Sequence, residues 1–282
     1  MGALEDRIAA ALGAPVRRLA PLSGGCVGDV FLADLSDGRR VVVKAGGAGS
    51  RLDLEGWMLG ALDRENLPVP AVLHAADDLL AMDYVETSGS LDDSAQAHAA
   101  ELLAALHGRA APAFGLDRDT LIGGLRQPNG WERRWLVFFR DSRLLYMAGE
   151  AHRAGRLPAR VLSRVEKLAA RLADWIGDDA PPSLIHGDAW GGNILCRSGK
   201  VAAFIDPAVY YADAEIELAF GTLFGTFGPA FFRRYCELRP IRPGFFEERR
   251  DLYNLYPLLV HARLFGGAYV NDVENTLSRF GA

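Results

Sequence analysis

Apolar positions recur at helical spacing from Leu4 to Leu12 and stop at Gly13, which predicts a short N-terminal helix. The pattern then changes to short apolar runs. Val16 to Leu22, Val27 to Leu35 and Arg39 to Ala45 read as three strands, with Asp37-Gly38 as the hairpin turn between the second and third. A helix is expected from Arg51 to Glu65, burying Leu52, Leu54, Leu59 and Leu62. After the stiff link Leu67-Pro68-Val69-Pro70, Ala71 to His74 and Leu79 to Tyr84 complete a sheet of about five strands.

From Asp92 the pattern is mainly helical. Ala95 to Arg109 has the composition of a strong helix former, and Ala110 to Asn129 reads as a long irregular connection. Trp131 to Gly149, Pro158 to Ile176, Asp213 to Phe227, Pro229 to Leu238 and Asn271 to Arg279 follow as helices. Phe245 to Gly266 reads as one long helix, with a kink expected at Pro257. Between them, Ile194-Leu195-Cys196 and Val201 to Ile205 flank Ser198-Gly199-Lys200 and predict a hairpin. The whole is an α+β chain of two lobes. Residues 1–86 form an N-terminal lobe with an antiparallel sheet and a helix, and 87–282 a larger, mainly helical C-terminal lobe.

Composition narrows the class. Half of the 282 residues are hydrophobic and 24% are charged, the balance of an ordinary globular chain long enough to bury two cores. A net charge of −5 gives no support to a nucleic-acid or anionic-membrane partner, and no apolar run approaches bilayer length. Acids near the N-terminus speak against a signal peptide, so a cytoplasmic location is expected. Cys26, Cys196 and Cys236 show no CxxC spacing, so neither a disulfide framework nor a zinc site is suggested. Lysine is scarce, only Lys44, Lys167 and Lys200, which draws attention to the one that closes an apolar strand.

That lysine, Lys44, ends Val41-Val42-Val43, and Glu55 lies one turn into the next helix. A lysine at the end of a third strand, oriented by a helical glutamate, is the arrangement kinases use to hold nucleotide phosphates. Ser23-Gly24-Gly25-Cys26, between the first two strands, offers backbone N–H groups to phosphates, although alone it reads more readily as a plain hairpin turn. Met82-Asp83-Tyr84-Val85 leads out of the last strand, where backbone groups can meet an adenine edge.

The densest constellation is His186-Gly187-Asp188-Ala189-Trp190-Gly191-Gly192-Asn193, followed by Ile205-Asp206-Pro207. A hairpin turning on Gly199-Lys200 sets Asn193 directly across from Asp206, two oxygen donors suited to Mg²⁺. Asp188 is placed to accept the proton of a substrate hydroxyl, and His186 to hold the turn by bonding backbone. Asp213, Glu215 and Glu217 open a helix, where acids favour its dipole; recognition of an acceptor amine is the other reading. Together these parts specify phosphoryl transfer from ATP with Mg²⁺ on a bilobal protein-kinase-like fold.

Ile185-His186-Gly187-Asp188-Ala189-Trp190-Gly191-Gly192-Asn193 with Ile205-Asp206-Pro207-Ala208-Val209-Tyr210-Tyr211 resembles the fructosamine kinase, or ketosamine-3-kinase, family. That family belongs to the kinase-like superfamily that includes aminoglycoside phosphotransferases. Leu22-Ser23-Gly24-Gly25-Cys26, Gln127-Pro128-Asn129-Gly130-Trp131 and Leu264-Phe265-Gly266-Gly267 extend the resemblance over nearly the whole chain. It implies phosphorylation of the sugar 3-hydroxyl of ketosamines, free or on protein lysines, followed by breakdown of the adduct. It also implies Asp188 as base, Asn193 and Asp206 as metal ligands, Lys44 with Glu55 at the phosphates, and Trp190 and Trp131 near the substrate. Ala189 stands where a bulkier apolar residue is expected, and Glu217 where aspartate is expected. The nearest alternative is a kinase of the same fold acting on an aminoglycoside, choline or a sugar hydroxyl.

Overall fold

The computed structural model describes residues 2–22 and 28–282. In chain order its elements are α1 (Ala3–Leu12), β1 (Val16–Pro21), β2 (Asp29–Leu35), β3 (Arg40–Ala45), α2 (Leu52–Arg64), β4 (Val72–Ala76), β5 (Leu79–Asp83) and α3 (Asp93–His107). Next come β6 (Thr120–Ile122), β7 (Leu125–Gln127), α4 (Trp135–Phe138), a π-helical turn Phe139–Leu145, α5 (Tyr146–Arg153) and α6 (Ala159–Ala169). Then follow β8 (Ser183–Ile185), β9 (Ile194–Arg197), β10 (Lys200–Phe204), β11 (Tyr210–Ala212), α7 (Glu215–Leu223), α8 (Pro229–Leu238), α9 (Arg250–Phe265) and α10 (Ala268–Arg279).

The chain divides into two compact units, residues 1–95 with 192–207, and 96–191 with 208–282. In the first, a five-stranded antiparallel sheet has the order β1-β2-β3-β5-β4. Strand alternation sends β3 side chains to opposite faces. Val41 and Val43 join Ile8, Ala33, Leu35, Leu79 and Ala81 in a core capped by α1. Val42 packs on the opposite face, with Leu52 and Leu59 of α2, Leu80 and Met82. Lys44, two residues on, shares that second face, so the same pleat that buries Val42 aims the lysine at α2. The Ser23-Gly24-Gly25-Cys26 loop expected to cover phosphates lies outside the described residues.

The β9–β10 hairpin belongs to this unit, and its register corrects the sequence-based pairing of Asn193 with Asp206. Lys200 pairs with Arg197 and Val201 with Cys196, so the turn centres on Ser198-Gly199, both at positive φ. An irregularity between Val201 and Ala203 then moves the pairing to Ala203 with Leu195 and Phe204 with Ile194. Continued by one step, this sets Ile205 across from Asn193, and the Ile205 N–H donates to the Asn193 carbonyl at 3.0 Å. Asp206 comes one residue later, beyond the strand, at φ 53°.

In the second unit, helices surround two short strand pairs. β8 pairs with β11 and β6 with β7. The segment expected to be irregular before Trp131 thus contains a hairpin. Its buried polar side chains are tied together: the Asn129 and Gln127 amides both donate to the Thr120 hydroxyl, at 2.7 and 2.8 Å. Pro257 sits inside α9, which is buried along most of its length.

Candidate active site

The lysine expected to hold phosphates is itself held by two acids. Its Nζ donates to Glu55 Oε1 at 2.6 Å and also bonds the Asp206 carboxylate. Lys44 and Glu55 are buried, while Asp206 keeps about a quarter of its side chain exposed. Burial alone would lower the lysine's pKa, but the two carboxylates outweigh it and raise it above the ordinary lysine value. Lys44 is therefore firmly cationic. Burial pushes the Glu55 carboxyl upward against the pull of Lys44, with the nearby charge of Asp206 adding to the rise. Two acids share one base, an excess of negative charge that a hard cation would relieve.

The pair depends on how closely α2 approaches the sheet. Gly56 follows Glu55, and a Cβ there would stand 2.7 Å from Ala75 Cβ and 3.2 Å from Leu80 Cδ1. Gly56→Ala should therefore lose more through overpacking, about 1–3 kcal/mol, than alanine returns in helix propensity. The expected result is a lower denaturation midpoint in urea with a weakened Lys44–Glu55 contact. An unchanged or raised midpoint would show that the helix shifts freely.

Asn193 is buried at the end of a 3₁₀ turn, Gly191–Asn193. An amide oxygen and a carboxylate, both hard oxygen donors, fit a cation such as Mg²⁺ that keeps its remaining positions for water and phosphate oxygens. Met82 faces the α2 core, and the Asp83 and Tyr84 N–H groups donate to the carbonyls of Ala71 and Arg40. Val85 lies just beyond the strand, and the Arg40 guanidinium stacks 4.3 Å from the centre of the Tyr84 ring.

In the second unit, Asp188 follows β8 in a tightly fixed loop. Its N–H donates to His186 Nδ1 at 3.2 Å, and its carbonyl accepts the Trp190 N–H at 3.1 Å. His186 is fully buried and holds the turn, as its position in the motif suggested. Gly187 has φ 87°, and a Cβ there would fall 2.0 Å from the Ala208 carbonyl oxygen, so only glycine fits. Ala208 in turn donates to the His186 carbonyl and accepts from Gln127 Nε2.

Asp188 borders a narrow cavity of about 30 Å³ with Ile122, Tyr210, Phe220, Tyr256, Val260 and His261 on its mostly apolar wall. Trp190, 40% exposed, packs edge-on against Phe224, which contacts His261. Trp131 is 48% exposed against Tyr211, and neither tryptophan is among the residues lining the cavity.

Several contributors escaped the sequence reading. The acids at the start of α7 do more than face its dipole: Asp213, Glu215 and Glu217 are all buried and paired. Glu215 receives Arg249 Nε at 2.7 Å, and Asp213 accepts the Tyr253 hydroxyl at 2.6 Å. Arg242 joins both carboxylates. Arg143, fully buried, donates to Asn129 Oδ1 at 2.6 Å and lies 3.8 Å from the centre of the Tyr210 ring. The only sequence signal for this network was a cluster of acids whose basic partners lie tens of residues away.

The family model for fructosamine kinase matches residues 3–281. The chain belongs to the fructosamine kinase family. It is 35% identical over 271 residues to the "Probable ketoamine kinase" of Synechocystis sp., covering 92% of this chain and 88% of that one. A crystal structure of a candidate fructosamine-3-kinase from Thermobifida fusca superimposes with a TM-score of 0.86 at 31% identity, covering 98% and 99% of the two chains. The gentamicin complex of APH(2")-IIa shares the fold alone, with a TM-score of 0.67 at 15% identity over 99% of this chain and 96% of that one. The protein is thus a phosphotransferase with a hydroxyl acceptor, on a protein-kinase-like fold. No helix among the described residues is long and apolar enough to cross a membrane.

Proposed function

We propose that this enzyme transfers the γ-phosphoryl group of ATP, with Mg²⁺, to the sugar 3-hydroxyl of ketosamines, ribulosamines or fructosamines, carried on small amines or on protein lysines. The observation that carries the reading is the buried Lys44 between Glu55 and Asp206, a phosphate-binding cation and a metal-binding acid assembled together. Family membership supplies the acceptor class. Phosphoryl transfer needs positioning and charge neutralisation more than covalent chemistry. Lys44, kept cationic and oriented by Glu55, pairs with the nucleotide phosphates. Asn193 and Asp206 hold the metal, which when bound neutralises charge on the phosphate oxygens. Asp188 accepts the proton of the attacking hydroxyl, and Trp190 meets the substrate. The 3-phosphate then destabilises the adduct, whose breakdown frees the amine.

A coupled ADP-release assay tests this against the alternative acceptors. Ribulose-lysine and fructose-lysine are expected to support Mg²⁺-dependent turnover well above that with an aminoglycoside, choline or free sugars. Preference for one of the latter would overturn the acceptor assignment while leaving the kinase reading in place.

A further inference from the structure

The link from β3 to α2 is Gly46-Gly47-Ala48-Gly49-Ser50-Arg51, three glycines in six residues and little stiffness of its own. It must nevertheless deliver Glu55 to Lys44. Arg51 stands before α2 at φ 57°, and its side chain makes no cap to the helix. The turn between β4 and β5 does the holding. Asp77 Oδ2 accepts the Gly49 N–H at 2.6 Å, and Oδ1 accepts the Arg51 N–H at 3.2 Å. Its backbone carbonyl accepts the Leu52 N–H at 3.0 Å, and the next carbonyl, that of Asp78, accepts the Gly46 N–H at 3.0 Å. Amides from the start of the link to the first residue of α2 thus end on two adjacent residues.

That turn is itself fixed to the lysine's strand. It runs directly into β5, where Leu79 pairs with Ala45 and Leu80 with Lys44. Arg7 of α1 ties it from another side, donating from Nη2 to the Asp78 carbonyl at 3.1 Å and pairing with its carboxylate at 2.8 Å. Asp77 is therefore three residues from the position across from Lys44 and one hydrogen bond from the entry to α2. Glu55 is the fourth residue of that helix. Both ends of the ion pair are set from one turn.

We infer that Asp77 is a positioning residue for the Lys44–Glu55 pair, its carboxylate tying the β3–α2 link to the β4–β5 turn and so fixing where Glu55 meets the lysine. The inference rests on the reading of Lys44 as phosphate-binding. In protein kinases such a pair must be in place for transfer, and the position of its helix decides whether it is. Here a carboxylate from the neighbouring turn holds the helix. A carboxylate that merely stabilised the turn would act independently of Glu55. One that positions Glu55 loses its effect on ATP kinetics once the Glu55 carboxylate is gone.

The test measures ketosamine-dependent ADP release for Asp77→Ala and Asp77→Asn, each with Glu55 intact and with Glu55→Ala, alongside thermal melts. Asp77 is exposed, so neither variant opens a cavity. Glu55→Ala leaves Lys44 its bond to Asp206, and with it a measurable rate. With Glu55 intact, Asp77→Ala is expected to lower kcat/KM for ATP about 5- to 10-fold, the scale of one lost capping side chain, with KM for the ketosamine within about twofold. Asp77→Asn keeps one accepting oxygen and should stay within about threefold of wild type. With Glu55→Ala, adding Asp77→Ala should change kcat/KM for ATP by less than about twofold. Equal losses in the two backgrounds, or unchanged ATP kinetics in Asp77→Ala with Glu55 intact, would overturn the inference. If Asp77→Ala does not fold, Asp77→Asn carries the same comparison. A loss confined to intact Glu55 then supports the inference, and an equal loss or none overturns it. Retained turnover in Lys44→Met would remove the phosphate assignment and the inference with it, whereas an inactive Lys44→Met beside equal losses overturns the inference alone.

Discussion

Replacing Asp188 by asparagine is expected to lower ketosamine-dependent ADP release by about 10²–10⁴-fold, the range general-base catalysis contributes. The substitution is almost isosteric and removes the proton acceptor alone. Backbone contacts help to place residue 188: the Asp188 N–H bonds His186 Nδ1, its carbonyl accepts Trp190, and the preceding amides bond Glu217. Asparagine can keep each of those contacts. The thermal midpoint should therefore stay within a few degrees of wild type while kcat falls and KM for ATP changes little. That combination separates loss of the base from loss of the loop. Turnover within about threefold of wild type would remove Asp188 from the mechanism.

The elements that position this chemistry were largely legible in the sequence, because each carries its own local signal. The apolar run Val41-Val42-Val43 located β3 with Lys44 at its end, and helical spacing placed Glu55 one turn into α2. The hairpin register was not legible. Its turn puts Ser198 at φ 52°, a conformation serine seldom adopts, so the sequence favoured a turn centred one residue later. The bulge that follows involves Val201, Ala202 and Ala203, and no side chain among them announces it. The earlier turn alone would set Asn193 across from Phe204, and the bulge gives back one position, so Asp206 ends one residue beyond its expected place. The partners of the acids at the start of α7 were hidden for another reason. Arg242, Arg249 and His107 reach them from distant parts of the chain, and tertiary pairing leaves no periodicity to read.

Glu217 shows how the two kinds of information combine. The sequence marked it as a departure, glutamate where aspartate was expected. The structure gives the longer side chain a use, since one carboxylate reaches the His186 and Gly187 amides as well as His107. Its depressed pKa has a direct consequence for stability. A carboxyl held below its unfolded value contributes fully above that value, and the contribution is lost as pH falls through the folded pKa. Acid therefore loosens the loop that carries Asp188 before it disturbs apolar packing.

Lys44→Met is expected to remove turnover and to reverse this pH dependence locally. Removing one partner of a buried ion pair costs about 3–5 kcal/mol when the other is left charged. Lys44→Met leaves both acids without their cation; Asp206 keeps about a quarter of its side chain in solvent, so the buried charge stranded is Glu55, whose pKa burial already raises against the pull of Lys44. Without the lysine that opposition disappears, and the carboxyl takes up a proton on folding. A carboxyl whose folded pKa exceeds its unfolded one binds more protons in the native state, so stability falls as pH rises between the two values. The wild type behaves differently. Lys44's raised pKa keeps its contribution intact through neutral pH and loses it only above the ordinary lysine range. Thermal melts from pH 5 to 8 should thus show a deficit in Lys44→Met that grows with pH. Lys44→Met/Glu55→Gln should recover much of that stability, because no buried charge remains unpaired. It should recover no activity, since the cation at the phosphates is still missing; one such electrostatic contact is worth about 10²–10³ in rate. A deficit independent of pH, or a double variant no more stable than the single one, would show that Glu55 is not the group left stranded. Turnover in the double variant near wild type would remove Lys44 from the phosphate site.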